Sequence, residues 1–189
     1  HGAAITTYST TKYIGGHGTT IGGLIVDGGN FDWGKAGADR QPAMNTPDPC
    51  YGGVVWDEQV TINMGLPFAY LLKLRTTLLR DLGGAMSPFN AWMFIQGLET
   101  LPLRMREHAK NAQAVAEALA ANEKVQSVTY PGLFEGAERE KADKYMTGGY
   151  GALIGFELPG GKEAGSKFID SLELLYHVAN IGDSRSLAI

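Results

Sequence analysis

The sequence predicts an α/β chain, and three kinds of observation predict it. Short apolar runs rich in β-branched and aromatic residues, bounded by glycine, stand at 5–8, 21–27 and 152–158 with the length of strands. Between them Phe68, Leu71, Leu72, Leu78, Leu79 and Leu82 return at three- and four-residue steps, the period of one helical face. Helix punctuation stands where that pattern needs it: Pro67 at a first-turn position, Gly83-Gly84 as a stop, and Ser87-Pro88 as a second start.

Taken in order, residues 5–8 and 21–27 read as strands flanking a glycine-rich loop. Residues 28–59 follow as a polar, Gly/Pro-rich stretch without a period, read as a long loop docked by Phe31, Trp33, Tyr51 and Trp56, which could equally wall a substrate entrance. One helix is expected from Pro67 to Gly83-Gly84. Another should run from Ser87 to about Glu99, restarted or kinked at Pro102. Beyond it Ala109, Ala112, Ala116 and Leu119 make a narrow seam of small residues suited to close packing. Residues 125–130 read as a strand turned by Pro131-Gly132, and 152–158 as another. Residues 161–176 read as a helix with Phe168, Ile169, Leu172 and Leu175 on one face, and 178–181 as the strand closing a β-α-β-like unit. A domain boundary is expected near 88–105, dividing the chain into 1–95 and 96–189.

Composition narrows the function classes. With 44% hydrophobic and 19% charged residues among 189, the chain is an ordinary globular protein. At that size it can bury roughly 70% of its unfolded surface. A net charge of −4 without a basic run argues against a nucleic-acid partner, and no apolar run reaches membrane-spanning length. Cys50 stands alone, which excludes an internal disulfide and fits a cytoplasmic setting. Histidines at 1, 17, 108 and 177 have no metal-ligand spacing, so no metal is expected.

The stretch that carries chemistry is Ser9-Thr10-Thr11-Lys12-Tyr13-Ile14-Gly15-Gly16-His17-Gly18. One lysine stands after two spaced hydroxyls and before a glycine-rich turn. Lysine is a useful nucleophile when its site lowers its pKa, and an aldehyde cofactor is held by such a lysine as an imine. On an extended chain Ser9 and Thr11 point the same way and can offer hydroxyls to one anion. The glycines let backbone approach a cofactor closely.

Ser9-x-Thr11-Lys12-Tyr13-x-x-Gly16-His17 resembles the lysine motif of the Cys/Met-metabolism family of pyridoxal-phosphate enzymes. The continuation Gly18-Thr19-Thr20-Ile21-Gly22-Gly23 and the later Asn30-Phe31-Asp32-Trp33 look like one branch of it, the O-acetylhomoserine sulfhydrylases. Gln96-Gly97-Leu98-Glu99-Thr100-Leu101, Tyr130-Pro131-Gly132-Leu133 and His177-Val178-Ala179-Asn180-Ile181-Gly182-Asp183 extend the resemblance along the chain. Pro47-Asp48-Pro49-Cys50-Tyr51-Gly52 departs from the family text at Cys50 and Gly52, and Ala4 and Tyr8 replace a more typical Asp and His.

The resemblance implies the aspartate-aminotransferase-like fold of these enzymes (fold type I). Residues 1–95 would be the end of the large cofactor domain with a bridging helix, and 96–189 most of the small C-terminal domain. Family members are more than twice as long, so the chain reads as an internal and C-terminal piece. The family's upstream phosphate loop, ring-stacking aromatic, ring-nitrogen Asp and downstream carboxylate-binding Arg have no counterpart in it.

Carried over residue by residue, the resemblance makes Lys12 the lysine that binds pyridoxal 5'-phosphate and shuttles the substrate proton. Ser9 and Thr11 become donors to the cofactor phosphate, where otherwise they satisfy local backbone. Asn180 helps hold the substrate carboxylate, or is an ordinary turn residue. His17, His108 and His177 read as structural or exposed, and Asp183 with Arg185 as a loop charge pair.

The reaction implied is γ-replacement, turning O-acetylhomoserine and sulfide into homocysteine and acetate in a homotetramer built from dimers. Cystathionine γ-synthesis and methionine γ-lysis are the alternatives within the family. A non-catalytic piece, inactive as an isolated chain, is the alternative outside it.

Overall fold

The computed structural model describes residues His1–Ile189, which form two compact units. The first comprises His1–Tyr8 and Gly23–Ser87, the second Ser9–Gly22 and Pro88–Ile189. The residues before Ser9 and after Gly22 thus belong to one unit, and the lysine loop between them to the other.

In the first unit β1 (Ile5–Ser9, its last residue already in the second unit) pairs with β2 (Gly23–Asp27), and Gly28 N donates to Ala4 O at 2.8 Å. The stretch expected to be a loop is instead largely helical. It holds α1 (Trp33–Arg40), α2 (Pro42–Asn45), a 3-10 turn at Pro49–Tyr51 and π-helical turns at Asp57–Asn63. Local caps start these pieces: the Asp32 carboxylate accepts from Lys35 N at 2.9 Å, and Pro42 occupies a first-turn position. Each piece is too short to display a helical period, and Gly37, at φ +71°, breaks α1 internally.

The aromatics of this stretch anchor it. Met44, Trp56, Val60 and Ala69 form a buried core against which Trp33, Tyr51 and Tyr70 pack, with the Trp33 and Tyr70 rings stacked at 5.4 Å. Asp48 ties the core's edge, accepting from Trp56 Nε1 at 2.9 Å and Lys73 Nζ at 2.8 Å. The expected helix is present as α3 (Ala69–Lys73), continued by π-helical turns over Leu74–Arg80.

The second unit is organised by α4 (Pro88–Ala120), 33 residues long. It runs through Pro102 without ending there. The seam of small residues is its packing face: Ala112 and Ala116 are buried against Tyr130, which is 0% exposed and donates to Gly151 O at 3.1 Å. β3 (Ser127–Thr129) pairs antiparallel with β4 (Gly155–Glu157), Val128 opposite Phe156. Between them lies α5 (Gly136–Tyr145). Phe156 meets Phe168 of α6 (Gly161–Asp170) edge-on at 5.3 Å.

The expected β-α-β unit does not form. The helix stops at Asp170, so Leu172 and Leu175 lie beyond it, and the strand is β5 (Tyr176–His177) rather than 178–181. β5 pairs in parallel with β6 (Leu187–Ala188), not with β4. A turn running from Asn180 to Asp183, whose N donates to Asn180 O at 3.1 Å, interrupts the segment before an extended run can form. No helix is long and apolar enough to cross a membrane.

Candidate active site

The lysine loop is a compact turn. Thr10 N donates to Gly22 O at 3.0 Å, Lys12 N to Ser9 O at 3.1 Å, Gly15 N to Thr10 O at 2.8 Å and Gly16 N to Lys12 O at 2.8 Å. These bonds close the backbone on itself, with Lys12 half-buried within the turn. Helix α4 seats the loop. A Cβ on Gly97 would collide with Ile14 O, so only glycine admits the loop this close to the helix.

Arg104, two turns along the same helix, fastens it. Its Nη1 donates to Tyr13 O at 2.7 Å, its Nη2 to Ile14 O at 3.2 Å and Gly97 O at 2.8 Å, and its Nε to Thr100 Oγ1 at 3.1 Å. Three backbone carbonyls, rather than a carboxylate, take up this guanidinium.

The 179–185 turn closes over the loop from the other end of the unit's sequence. Lys12 Nζ donates to Ala179 O at 3.2 Å and to Asn180 Oδ1 at 3.3 Å. Asn180 Nδ2 donates to Asp183 Oδ2 at 2.9 Å, and Ser184 N donates to Gly16 O at 2.8 Å. Asp183, 2% exposed, accepts from Arg185 N at 2.9 Å, Nε at 3.0 Å and Nη2 at 2.9 Å. The Arg185 side chain holds the Asp183 carboxyl well below the usual carboxylate range against the opposing effect of burial, with the Arg185 N–H and the Asn180 amide assisting. The Asp183–Arg185 charge pair is therefore real, and it also engages Asn180.

The other expected residues are placed as follows. The Ser9 side chain is exposed and makes no hydrogen bond. Thr11 Oγ1 accepts from Gly22 N at 3.0 Å and lies 3.4 Å from Gly22 O. Thr10 Oγ1 and Thr20 Oγ1 are buried without partners. His17 is exposed, its Nδ1 2.8 Å from Gly15 O, and His177 is exposed in β5. His108 packs edge-on to the Tyr13 ring at 6.0 Å; burial, then the Arg104 charge, pushes its pKa down, with Asp183 opposing.

A cavity of about 500 Å³ opens beside the loop, lined among others by Thr11, His17, Thr20, Gln96, Thr100 and Arg104; neither Lys12 nor Asn180 lines it. Sequence reasoning missed Arg104 and Gly97. Their signal is a spacing, since Gly97, Thr100 and Arg104 fall three and four residues apart on one helical face.

The model of one family, the Cys/Met metabolism PLP-dependent enzymes, matches residues 1–189. The chain belongs to that family. Among curated relatives it is 49% identical to an O-acetyl-L-homoserine sulfhydrylase of Leptospira meyeri and 46% identical to a homocysteine synthase of Schizosaccharomyces pombe. Each match covers 100% of this chain and 43% of the relative, so the chain spans less than half the length of these curated relatives.

Among solved structures, an O-acetylhomoserine (thiol)-lyase assigned in Campylobacter jejuni superposes with a TM-score of 0.84 at 34% identity, over 99% of this chain and 45% of that one. That crystal holds a pyridoxyl-lysine phosphate. A cystathionine γ-synthase of Xanthomonas oryzae superposes at 0.67 and 30% identity, over 98% of this chain and 38% of that one. The fold is thus a part of the PLP-dependent fold type I architecture.

The residues present fit pyridoxal phosphate. Lys12 Nζ touches two neutral oxygens and no carboxylate, so its amine is not tied up in an ion pair. Three residues upstream, the Ser9 hydroxyl is free to donate.

Proposed function

We propose that the whole protein is an O-acetylhomoserine sulfhydrylase, replacing the acetate on Cγ of O-acetylhomoserine with sulfide to give homocysteine. The observation that carries this reading is Lys12 Nζ, half-buried and bonded only to Ala179 O and Asn180 Oδ1. The choice of branch is supported by the likeness to relatives named for that activity. Pyridoxal phosphate, when bound, supplies an electron sink for the charge left at the substrate Cα.

In this reading Lys12 Nζ carries the cofactor and takes, then returns, the Cα proton. The carbonyl of Ala179 and the amide of Asn180 keep that amine at the 179–180 turn. Ser9 and Thr11 donate to the phosphate. Gly22 O at 3.4 Å is a weak acceptor for the Thr11 proton, which is therefore free to turn to an anion. Asn180 retains one amide N–H beyond the one given to Asp183, and this is its means of holding a substrate carboxylate. Residues 1–95 belong to the large cofactor domain and 96–189 to the small domain. The enzyme works in the cytoplasm as a homotetramer, and a polypeptide limited to these 189 residues is inactive.

An assay of the whole protein with O-acetylhomoserine tests the reading by offering sulfide and cysteine in competition. Homocysteine should dominate. Dominant cystathionine moves the assignment to cystathionine γ-synthase, and breakdown of methionine without an acylated substrate moves it to methionine γ-lyase.

A further inference from the structure

We propose that Asp183 is a positioning residue: it fixes the polarity of the Asn180 amide, and through that amide it holds the Lys12 amine. The proposal rests on the reading of Lys12 above only for its consequence in catalysis. Its geometry stands on the second unit alone. Asn180 has a neighbour at each end of its amide, Lys12 Nζ 3.3 Å from Oδ1 and Asp183 Oδ2 2.9 Å from Nδ2. A lysine ammonium can only donate and an ionised carboxylate can only accept, so one of the two amide orientations serves both and the other serves neither.

The strength of the arrangement depends on Asp183 staying charged and still. Both conditions are met. The residue is 2% exposed, and three Arg185 donors engage its two oxygens at 2.9 to 3.0 Å. Arg185 is in turn laid over the Tyr176 ring, its guanidinium carbon 4.9 Å from the centroid.

The lysine loop is shaped to the same amide. Gly18 sits at φ +64°, and a Cβ there would stand 2.6 Å from Asn180 Nδ2 and 3.3 Å from Asp183 Oδ2. Two other charged or titratable side chains near this corner are Arg104, spread over the Tyr13 and Ile14 carbonyls, and His108 against the Tyr13 ring. Neither bonds to Asn180. Asp183 is thus the group that decides which end of the amide faces Lys12.

The test reads the amine itself. In the full-length protein freed of cofactor, the rate of Lys12 reductive methylation at neutral pH is followed by peptide mass, with exposed Lys35 as internal reference. Asp183→Asn lets the amide turn and deprives Lys12 of an acceptor. Lys12 labelling should rise about three- to tenfold while Lys35 is unchanged, the equivalent of one lost charge-assisted hydrogen bond. Asn180→Leu should give the same rise, and the double variant no more than either alone.

Circular dichroism melting shows whether each variant is folded. If Asp183→Asn is not, Arg185→Gln takes its place, leaving the carboxylate but removing two of its donors, with a smaller rise in the same direction. Unchanged Lys12 labelling in the folded variant overturns the proposal, as does a double-variant rise equal to the product of the two single ones. Trapping of the cofactor on another lysine would instead overturn the assignment of Lys12 and leave this result standing.

Discussion

Two charged groups in the second unit, half-buried Arg104 and buried Asp183, each act on the loop that presents Lys12. Arg104 does so by donating to carbonyls of Tyr13 and Ile14, Asp183 by orienting Asn180. Asp183 also makes stability depend on pH. Its folded carboxyl titrates below the unfolded one, so its contribution is complete above about pH 4 and is lost as pH falls further. The melting temperature of the wild type should therefore exceed that of Asp183→Asn most at pH 7, with the gap shrinking below pH 4. A gap of constant size down to pH 3 would show that the carboxylate is not the source. At this scale the text around Lys12 was legible as a motif because it is contiguous. Arg104 was not, because it lies 91 residues from the carbonyl it serves, and its one local signal, the helical spacing from Gly97 and Thr100, is common to any helix face.

Among the elements, α4 carries the site. Gly97 lies on the face that receives the lysine loop, and Gly97→Ala sets two effects against each other. Alanine favours a helix interior by about 1 kcal/mol. Its Cβ, however, would collide with Ile14 O and stand 2.8 Å from Gly15 O, backbone atoms that cannot turn aside. Overlap in a packed site costs about 1–3 kcal/mol, so the expected net effect is destabilisation of the second unit with weaker cofactor retention. Equilibrium denaturation of the variant measures the first and cofactor absorbance the second; a variant more stable than wild type would refute the packing argument. The periodic elements were readable, since Ala109, Ala112 and Ala116 declare their packing face by spacing alone. The short helices between Trp33 and Asn63 were not, because caps at Asp32 and Pro42 start them and no helical period spans them. The β5–β6 pairing was equally hidden, two residues being too few to alternate.

The whole molecule divides into a first unit with an aromatic core around Trp56 and a second unit that holds Lys12, Asn180, Asp183 and Arg104 together. Family text distributed from Ser9 to Asp183 made the fold type legible, since its motifs stand along the whole chain and several of them sit at turns, as at Gly16 and Gly182. Its grouping by unit was not legible, because that depends on which segment packs on which, and neither composition nor period records it. The central claim is that Lys12 is the lysine that binds pyridoxal phosphate. The most direct test is borohydride reduction of the full-length protein with its cofactor bound, followed by peptide mass mapping, beside a Lys12→Ala variant. The account predicts a reduced pyridoxyl adduct on the peptide bearing Lys12 and none in the variant. An adduct on another lysine, or one that survives Lys12→Ala, would contradict it.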